Sequence, residues 1–434
     1  MRVLMVVENA SNKMGGESGK NSQLFKRLRQ KGVDLWMICH ARCRDELKQL
    51  FADEAEFSRI VFVEDSWIQN LLWRLGKWLP YRVEDLVVGQ LIHMYTQQHE
   101  RRVARQLIAQ EDIQLIFQPT PLSAKAVSFM FDLNTPVVIG PLCGDLEFPP
   151  DFQSMDAPVA QLIISLARRA SMLLHRLFPG KLNADTLIYS DLTAFKALPR
   201  GYRGKTVQML EPAVDTNLWQ PRQSCRPSSQ ELVRFIYLGR LVDWKGVQYL
   251  VKAFRLVVQH TNAVLDIVGD GELNNQLRDA VKSYGIDKYV HFHGWKSHDQ
   301  CTKLLNKSDI FVMPSLRESG GHAVLEAMAI GLPVIVTHWG GPAHTVSPDC
   351  GILVKPDSRE VFVENLAEAM IRLANSPEQR KTMAKAGPQQ VKRHYLDWDA
   401  KCDRFIEIFQ ETLARQVQPC VDGTRFQELK SPLS

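Results

Sequence analysis

Short apolar runs alternate with longer amphipathic stretches along most of this chain. Val233–Leu238 is a mainly apolar run, and from Val247 to Val258 apolar residues recur at the three- and four-residue spacing of a helix. This alternation is typical of parallel strands joined by crossover helices. We therefore predict an α/β fold of two doubly wound, Rossmann-like domains, with a ligand cleft between the carboxyl ends of their sheets.

The predicted elements cover both halves of the chain. The strands of the first half are Arg2–Val7, Val33–Cys39, Ile113–Phe117, Pro136–Ile139 and Thr186–Tyr189. Its helices include Glu17–Lys31, Leu86–Gln110 and Pro121–Phe131. The strands of the second half are Val233–Leu238, Ala263–Val268, Val290–Phe292, Ile310–Met313, Pro333–Val336 and Ile352–Val354.

A polar stretch that contains proline separates the two halves. Residues 220–230 show no hydrophobic periodicity and are the best linker candidate in the chain. The predicted organisation is a first domain over 1–219, a linker over 220–231, a second domain over 232–395, a C-terminal helix over 396–418 and a loose tail over 419–434.

Composition and charge limit the classes of function. The chain has 434 residues, 45% of them hydrophobic, which is enough for two or three domains with their own cores. Its formal net charge of +5 is small for a dedicated nucleic-acid binder, so we expect no nucleic-acid partner. No apolar run reaches the ~18 residues of a membrane-spanning helix. The eight cysteines form no CxxC pair, which predicts reduced thiols in a cytoplasmic protein.

Candidate binding residues follow two strands of the second half. Arg240 and Lys245 lie between a strand and a helix, where two cations could hold a diphosphate. Glu318 and Glu326 lie eight residues apart, on either side of a glycine pair and a helix start. Taken singly, each of these side chains could equally be an ordinary surface charge.

Together these residues carry a resemblance. In this order and between these strands, Arg240, Lys245 and the two glutamates resemble the donor site of family 4 retaining glycosyltransferases, which have the GT-B fold. Further matching blocks within about residues 235–356 are Gly269–Glu272, Val290–Trp295, Gly331–Val336 and Gly340–Pro342. Thinner matches in the first half are Gly15–Gly16, Gly140–Pro141 and Glu211–Asp215. The resemblance implies GT-B architecture, a C-terminal helix that returns to the first domain, a nucleotide-diphosphate sugar as co-substrate, and no cofactor.

The resemblance also implies a role for each matched residue. Arg240 and Lys245 would hold the donor diphosphate and stabilise the charge on the departing nucleotide. Glu318 would hold the hydroxyl groups of the donor sugar, and Glu326 would bind the ribose. The other implied donor-binding residues are Gly16, Gly294, Gly320, Gly321 and His322.

Two positions depart from the family pattern. Many members carry a histidine near the reacting sugar, after the strand predicted at Pro136–Ile139, and this chain has none there. Asp145, in the same loop, is the candidate for the acceptor-side base. Gly320 stands where an aromatic residue is common.

Three other patterns fail in their details. Gly15–Lys20 lacks the first glycine and the final Ser/Thr of a phosphate-binding P-loop. Asp397–Asp399 resembles a metal-binding Asp-x-Asp motif but lies far from any nucleotide loop. The histidines lack the spacing of a zinc peptidase site, so we predict no metal site.

Two segments suit a membrane surface. Trp67–Leu79 places two tryptophans and five aliphatic residues on one helical face. Residues 157–210 carry a local net charge of +6 and include the apolar stretch Pro158–Leu182. Amphipathic basic helices with tryptophan bind anionic lipid surfaces. The alternative is that both helices face the core and present only a solvated edge.

We therefore expect a metal-independent, retaining hexosyltransferase that uses a UDP- or GDP-sugar. Its acceptor would be a glycan or a lipid-linked molecule, in cell-surface polysaccharide or glycolipid synthesis at the inner face of the plasma membrane. Three alternatives remain open. They are a sugar-nucleotide epimerase, a glycoside phosphorylase, for which no motif offers the cofactor-bearing lysine, and a catalytically silent scaffold of the same architecture.

Overall fold

A computed structural model of the chain describes residues 1–11, 14, 16–78, 88–144, 147–155, 171–222 and 232–417. Asp145, most of the predicted linker and the predicted tail lie outside the described residues. The predicted domain limits therefore remain expectations where they fall in these gaps.

Thirteen strands are described. In the first domain they are β1 (Arg2–Val6), β2 (Asp34–His40), β3 (Ile60–Val63), β4 (Leu115–Gln118), β5 (Val137–Leu142), β6 (Thr186–Tyr189) and β7 (Lys205–Gln208). In the second they are β8 (Val233–Leu238), β9 (Ala263–Val268), β10 (Val290–Gly294), β11 (Ile310–Met313), β12 (Val334–Thr337) and β13 (Gly351–Val354).

The labelled α-helices lie between and after these strands. Those that precede β8 are α1 (Gly16–Gln30), α2 (Arg44–Leu50), α3 (Glu54–Phe57), α4 (Trp67–Gly76), α5 (Gln90–Glu111) and α6 (Leu192–Ala197). Those of the second domain are α7 (Val247–His260), α8 (Asn274–Ser283), α9 (His298–Asn306), α10 (His322–Ile330), α11 (Pro342–Thr345), α12 (Arg359–Ala374) and α13 (Pro377–Arg393). The last helix is α14 (Trp398–Val417).

Each domain contains one parallel sheet. The seven strands of the first sheet lie in the order β3-β2-β1-β4-β5-β6-β7, and the six of the second in the order β10-β9-β8-β11-β12-β13. Every strand pair in both sheets is parallel. The prediction of two doubly wound sheets is therefore confirmed.

Alternation along β1 shows how the first sheet is buried on both faces. Val3 and Met5 belong to one hydrophobic core, and Leu4 and Val6 belong to the other. Successive side chains of a strand point to opposite faces, so a strand covered on both sides reads as a continuous apolar run. The same pattern produces the apolar strands of the second domain, which share one large core.

The C-terminal helix lies against the first domain, as predicted. Phe405 and Phe409 of α14 pack on Phe117 of β4, with ring centroids 4.9 and 5.0 Å apart. Arg27 of α1 pairs with Asp399 of α14 at 2.9 Å. The chain thus crosses from the second domain back to the first at its end.

The helix predicted over Pro121–Phe131 is wrong. Several of its backbone groups bond to distant partners and not in the repeating pattern of a helix. The Cys143 N–H donates to the Leu122 carbonyl, the Gly180 N–H donates to the Ser128 carbonyl, and the Phe129 N–H donates to the Gln97 side chain. Tertiary contacts therefore replace the helical hydrogen bonds that the apolar spacing predicted.

Candidate active site

The loops that follow four strands of the second sheet form one site at its carboxyl edge. The Leu241 N–H donates to the Asp270 carbonyl at 3.0 Å, which joins the loops after β8 and β9. The Leu316 N–H donates to the Trp244 carbonyl at 2.8 Å, which joins the loops after β8 and β11. The Gly341 N–H donates to the Glu318 carbonyl at 2.8 Å and adds the loop after β12.

Two glycines permit this close packing. A Cβ at Gly246, which has φ +70°, would lie 2.0 Å from the Pro314 carbonyl oxygen. A Cβ at Gly341 would lie 1.9 Å from the Ser319 carbonyl oxygen. Both distances are too short for any side chain, so these glycines let the loops approach.

Lys245 and Glu318 meet in this site. The Lys245 ammonium donates to the Glu318 carboxylate in an ion pair, and both side chains are largely buried. The residues are 73 positions apart, and packing of the loops after β8 and β11 brings them together. The structure thus joins one predicted diphosphate ligand to the residue predicted to hold the donor sugar.

Arg240 lies on the same loop as Lys245 and is exposed. The Tyr237 hydroxyl donates to the Arg240 carbonyl at 2.9 Å, and the guanidinium lies 5.8 Å from the centroid of the Trp244 ring. The backbone of this loop is therefore held in place while its cation remains accessible to a ligand.

Glu326 lies in the second turn of α10. Burial raises the pKa of its carboxyl group to about 8, so the ligand-free side chain is mostly protonated at neutral pH. A carboxylic acid at this position can exchange its proton for hydrogen bonds from ligand hydroxyl groups.

The helix start beside these residues faces the first domain. Gly321 has φ +71° and precedes α10, and Gly320 lies before it. The imidazole Nδ1 of His322 lies 3.2 Å from the carbonyl oxygen of Ala213. Ala213 belongs to the segment that leads from β7 toward the second domain. Gly294 ends β10 with φ +68°, and its carbonyl accepts from the Gly269 N–H at 2.9 Å.

Glu211 explains why residue 320 is a glycine. Its carboxylate pairs with Lys20 of α1 at 2.9 Å, and both side chains are buried. A Cβ at Gly320 would lie 2.7 Å from Oε2 of Glu211. The glutamate thus occupies the space that an aromatic side chain would need.

Burial opposes the charge on Glu211, but Lys20 and the neighbouring His322 outweigh it and lower the pKa of the carboxyl group to about 2. The carboxylate is therefore ionised where the first domain meets the donor loops of the second. Gly16, one of the implied donor-binding residues, is the first residue of α1, one turn before Lys20.

The carboxyl edges of the two sheets face each other. The Trp339 indole N–H, after β12, donates to the Glu147 carbonyl, after β5, at 2.9 Å. The Phe152 ring lies 5.5 Å from Tyr249 and 5.9 Å from Phe362, in the core of the second domain. The site described above therefore opens toward the first domain.

Asp397 and Asp399 make contacts within the fold. Asp397 accepts hydrogen bonds from the backbone N–H groups of Asp399 and Ala400 at the start of α14. Asp399 pairs with Arg27. Among the described residues, no group of three or more His, Cys, Asp and Glu side chains could hold a metal ion.

One cluster at the edge of the first sheet escaped prediction. Glu8 lies two residues after the end of β1, and its carboxylate accepts from Nδ1 of His93 on α5. Gln97, one turn further along α5, lies 2.9 Å from Nε2 of the same imidazole. Glu8 and His93 are 85 positions apart and share no local motif. Only the polar positions on one face of α5 could have indicated the cluster.

The helix α4 turns its apolar side chains outward. Trp67 is 75% exposed and Trp78, just past the helix, is 89% exposed, whereas Gln69 is buried and donates to Thr96. The exposure of Trp67, Leu71 and Leu75 disfavours the core-facing alternative for α4. None of the described helices is long and apolar enough to span a membrane.

Part of the positive charge predicted for residues 157–210 is buried and does not reach the surface. Lys181 is fully buried, and its ammonium donates to the carbonyls of Ser123 and Ala124 at 2.7 and 3.2 Å. Burial lowers the pKa of this amine to about 7. Residues 156–170 lie outside the described part of the chain.

Comparison with known sequences identifies the family of the second domain. Residues 226–390 match the model of the family described as glycosyl transferases group 1. An uncharacterized glycosyltransferase of Methanocaldococcus jannaschii is 28% identical over 201 residues, which cover 45% of this chain and 50% of that protein.

A GDP-mannose-dependent monoacylated alpha-(1-6)-phosphatidylinositol monomannoside mannosyltransferase of Corynebacterium glutamicum is 32% identical over 180 residues, covering 40% of this chain and 45% of that protein. The chain thus spans about half the length of these curated relatives.

Solved structures share the whole two-domain architecture. A sucrose-phosphate synthase of Thermosynechococcus elongatus matches with a TM-score of 0.65 at 18% identity, covering 95% of this chain and 99% of that chain. HepE of Anabaena, solved with UDP and glucose, matches with a TM-score of 0.62 at 18% identity, covering 95% and 100%. These similarities confirm the GT-B fold.

Proposed function

Because residues 226–390 belong to the glycosyl transferases group 1 family, we propose that the protein transfers a hexose from a nucleotide-diphosphate sugar to an acceptor hydroxyl. The observation that carries the proposal is the convergence of Lys245, Glu318 and the start of α10 at the carboxyl edge of the second sheet. Open α/β sheets bind ligands outside this edge. Two similar proteins support a nucleotide-sugar donor, since one is named as GDP-mannose-dependent and HepE was solved with UDP.

Charge stabilisation is the main contribution expected from these residues. When the bond to the sugar breaks, negative charge grows on the departing diphosphate. Lys245 and Arg240 would oppose that charge from fixed positions, which is the kind of stabilisation that contributes most in enzymes. Since two protein cations supply this role, we propose that transfer is independent of divalent metal. From the resemblance to retaining glycosyltransferases, we also propose that transfer retains the anomeric configuration.

Glu318 and Glu326 would make the remaining side-chain contacts with the nucleotide sugar, each with a different part of it. Glu318 lies beside Lys245 and would accept hydrogen bonds from the donor sugar, while Lys245 turns to the diphosphate. Glu326 would accept hydrogen bonds from the ribose. The backbone N–H groups around Gly320 and Gly321 would hold the sugar at the start of α10.

A release assay tests this function. The full-length protein is incubated with UDP-glucose, UDP-galactose or GDP-mannose, with and without EDTA, and the UDP or GDP freed by transfer of the sugar to water is measured. We expect the wild type to release nucleotide from one donor, with or without chelator. Lys245→Ala should lose about 2–4 kcal/mol of transition-state stabilisation, or about 30- to 1000-fold in rate.

Lys252→Ala is the matched control, because Lys252 is an exposed lysine of α7 beside Tyr249. Release by Lys245→Ala at the wild-type rate would contradict the donor site. Absence of release from every donor would favour the scaffold alternative, and conversion of one nucleotide sugar into another would favour an epimerase.

We also propose that the first domain docks on an anionic membrane surface from the cytoplasmic side, with a glycan or lipid-linked acceptor. The exposed apolar face of α4 supports this proposal, because exposed tryptophans beside basic residues suit a lipid interface. Arg74 and Lys77 supply positive charge on the same segment. An acceptor at the lipid surface would then lie near the cleft of the first domain.

A further inference from the structure

A hydrogen-bonded chain of side chains at the carboxyl edge of the first sheet has no role in the donor site. Nε2 of Gln97 lies 2.9 Å from Nε2 of His93, and Nδ1 of His93 contacts Glu8. The Gln97 oxygen accepts from Gln118 and from the Phe129 N–H, which fixes the orientation of its amide. Gln97 therefore donates to Nε2 of His93, and the imidazole must donate from Nδ1 to the Glu8 carboxylate.

This chain lies at the switch point of the sheet. From β1 the polypeptide continues to β2 and β3 on one side and returns to β4 on the other. Glu8 lies two residues after the end of β1, and Gln118 is the last residue of β4. Ligands of doubly wound sheets bind outside the carboxyl ends of the strands at this point.

The Glu8 carboxylate is held as an anion that reaches the surface. Burial pushes the pKa of Glu8 up, but the hydrogen bond from His93 and the charge of Arg42 outweigh it, so the pKa lies below its usual value. Both Glu8 and His93 keep 18% of their side-chain surface exposed. Arg42 lies 3.7 Å from the second carboxylate oxygen.

Another buried carboxyl group, that of Glu100, lies on the same helix, α5. Glu100 follows Gln97 by one turn of α5 and is 1% exposed, and its Oε1 has no hydrogen-bond partner among the described residues. Burial, and then the charge of Glu8, raise the pKa of Glu100 to about 8. A buried polar atom without a partner costs stability, which indicates a site kept for a purpose other than stability.

We propose that Glu8 binds the acceptor, a neutral polyhydroxylated compound such as a sugar or a sugar-headed lipid, by accepting hydrogen bonds from its hydroxyl groups. His93 and Gln97 are positioning residues that hold the carboxylate toward the cleft. The proposal rests on the proposed function, because it assigns the second substrate of the same reaction. One carboxylate oxygen of Glu8 lies beside His93 and the other beside Arg42, and each keeps lone-pair capacity to accept from a hydroxyl group of a sugar ring.

Two titrations of the full-length protein test the assignment. UDP and GDP are titrated calorimetrically, and then methyl α-D-glucopyranoside, methyl α-D-mannopyranoside and myo-inositol are titrated by ligand-observed NMR at saturating nucleotide. We expect Glu8→Gln to weaken binding of the preferred probe by about tenfold or more, as loss of a charged hydrogen-bond acceptor does. Thermal melting checks that the variants remain folded.

Glu64→Gln is the matched control, because Glu64 follows β3 at the same edge and forms an exposed ion pair with Arg44. It should bind the probes as the wild type does. For the positioning role, His93→Ala should weaken probe binding, and His93→Gln, whose amide can still donate to Glu8, should restore most of it.

The outcomes separate the two proposals. If the wild type binds a nucleotide but none of the probes, or if Glu8→Gln binds them as well as the wild type, the acceptor assignment is wrong and the donor site stands. If the wild type binds neither UDP nor GDP, the proposed function fails and the acceptor assignment fails with it.

Discussion

Glu326 makes nucleotide binding depend on pH. Its pKa of about 8 means that the free site is mostly protonated at pH 7. A carboxylate offers both oxygens to the ribose hydroxyls, whereas the protonated form uses one oxygen for its own proton. Nucleotide binding should therefore release a proton, and affinity should rise with pH up to about 8, by at most about tenfold per pH unit.

Calorimetric titration of UDP and GDP between pH 6.5 and 9 measures this dependence. Glu326→Gln should bind more weakly and lose the rise that the carboxyl group causes, leaving only the titration of the nucleotide phosphate. Parallel pH profiles in the wild type and the variant would show that Glu326 is not the titrating group.

Single site residues were predictable where they lie close together in the sequence. Arg240 and Lys245 share one short segment between a strand and a helix, so the sequence displays them together. Glu8 and His93 meet only because α5 packs on the sheet beside β1, and no spacing in the sequence indicates that contact. The glycine at 320 is likewise explained only by Glu211, a residue of another domain.

The loops of the donor site depend on glycines at the ends of elements. Gly246 and Gly285 have nearly equal φ values of +70° and +66°, but only Gly246 would place a Cβ against backbone, since nothing lies within 4 Å of a Cβ at Gly285. Alanine at either position should cost about 1–2 kcal/mol of left-handed strain. Gly246→Ala should cost about 1–3 kcal/mol more, because the loops must separate.

Chemical denaturation of both variants measures the two costs. Gly246→Ala should also weaken nucleotide binding, whereas Gly285→Ala, far from the cleft loops, should not. Equal destabilisation of the two variants would mean that the contact of Gly246 with Pro314 does not hold the loops together.

The exposed face of α4 predicts reversible membrane binding. Each basic residue near an anionic surface contributes about 1 kcal/mol, and this contribution weakens within a Debye length of about 8 Å at physiological salt. We expect the protein to co-sediment with anionic vesicles at low salt and to dissociate at high salt. The double variant Trp67→Ser/Trp78→Ser should bind less.

Trp295→Ser is the matched control, because Trp295 is 76% exposed but lies in the second domain, after β10. Retention of the wild type in the supernatant with anionic vesicles at low salt would contradict membrane docking and make a soluble acceptor the better proposal.

Most elements were predictable because parallel strands buried on both faces are continuous apolar runs. Thr186–Tyr189, Val233–Leu238, Ala263–Val268 and Ile310–Met313 occur with the predicted bounds. The strand β7 (Lys205–Gln208) was missed because it lies at the sheet edge and three of its four residues are exposed. The helix predicted over Pro121–Phe131 was wrong because its apolar residues, although spaced as in a helix, contact other segments of the chain.

At the scale of the whole molecule, the end of the chain stabilises its beginning. Phe405 of α14 is fully buried against Phe117 of β4, although the two residues are far apart in sequence. Phe405→Ala should destabilise the protein by about 3–5 kcal/mol, the usual cost of removing a buried phenyl ring. Phe195→Ala, which removes a half-exposed ring of α6, should cost much less.

Denaturation monitored by tryptophan fluorescence measures both variants. Similar stabilities would mean that α14 contributes little to the core of the first domain, in conflict with its packing there.

The pairing of two domains was predictable from the repeated strand–helix pattern and the resemblance to a known family. The contacts that hold the two carboxyl edges together, such as Trp339 with Glu147 and His322 with Ala213, were not predictable, because each depends on a single side chain. These contacts join residues that are far apart in the sequence, where hydrophobic periodicity carries no information.

The central claim is that Arg240 and Lys245, in the loop after β8, hold the diphosphate of a nucleotide. Titration of UDP and GDP against the wild type and the double variant Arg240→Ala/Lys245→Ala tests it most directly. We predict that the wild type binds one of the two nucleotides and that the double variant binds it at least about 100-fold more weakly, since both charged hydrogen-bond donors are lost. Binding of neither nucleotide by the wild type, or equal binding by the double variant, would contradict the account.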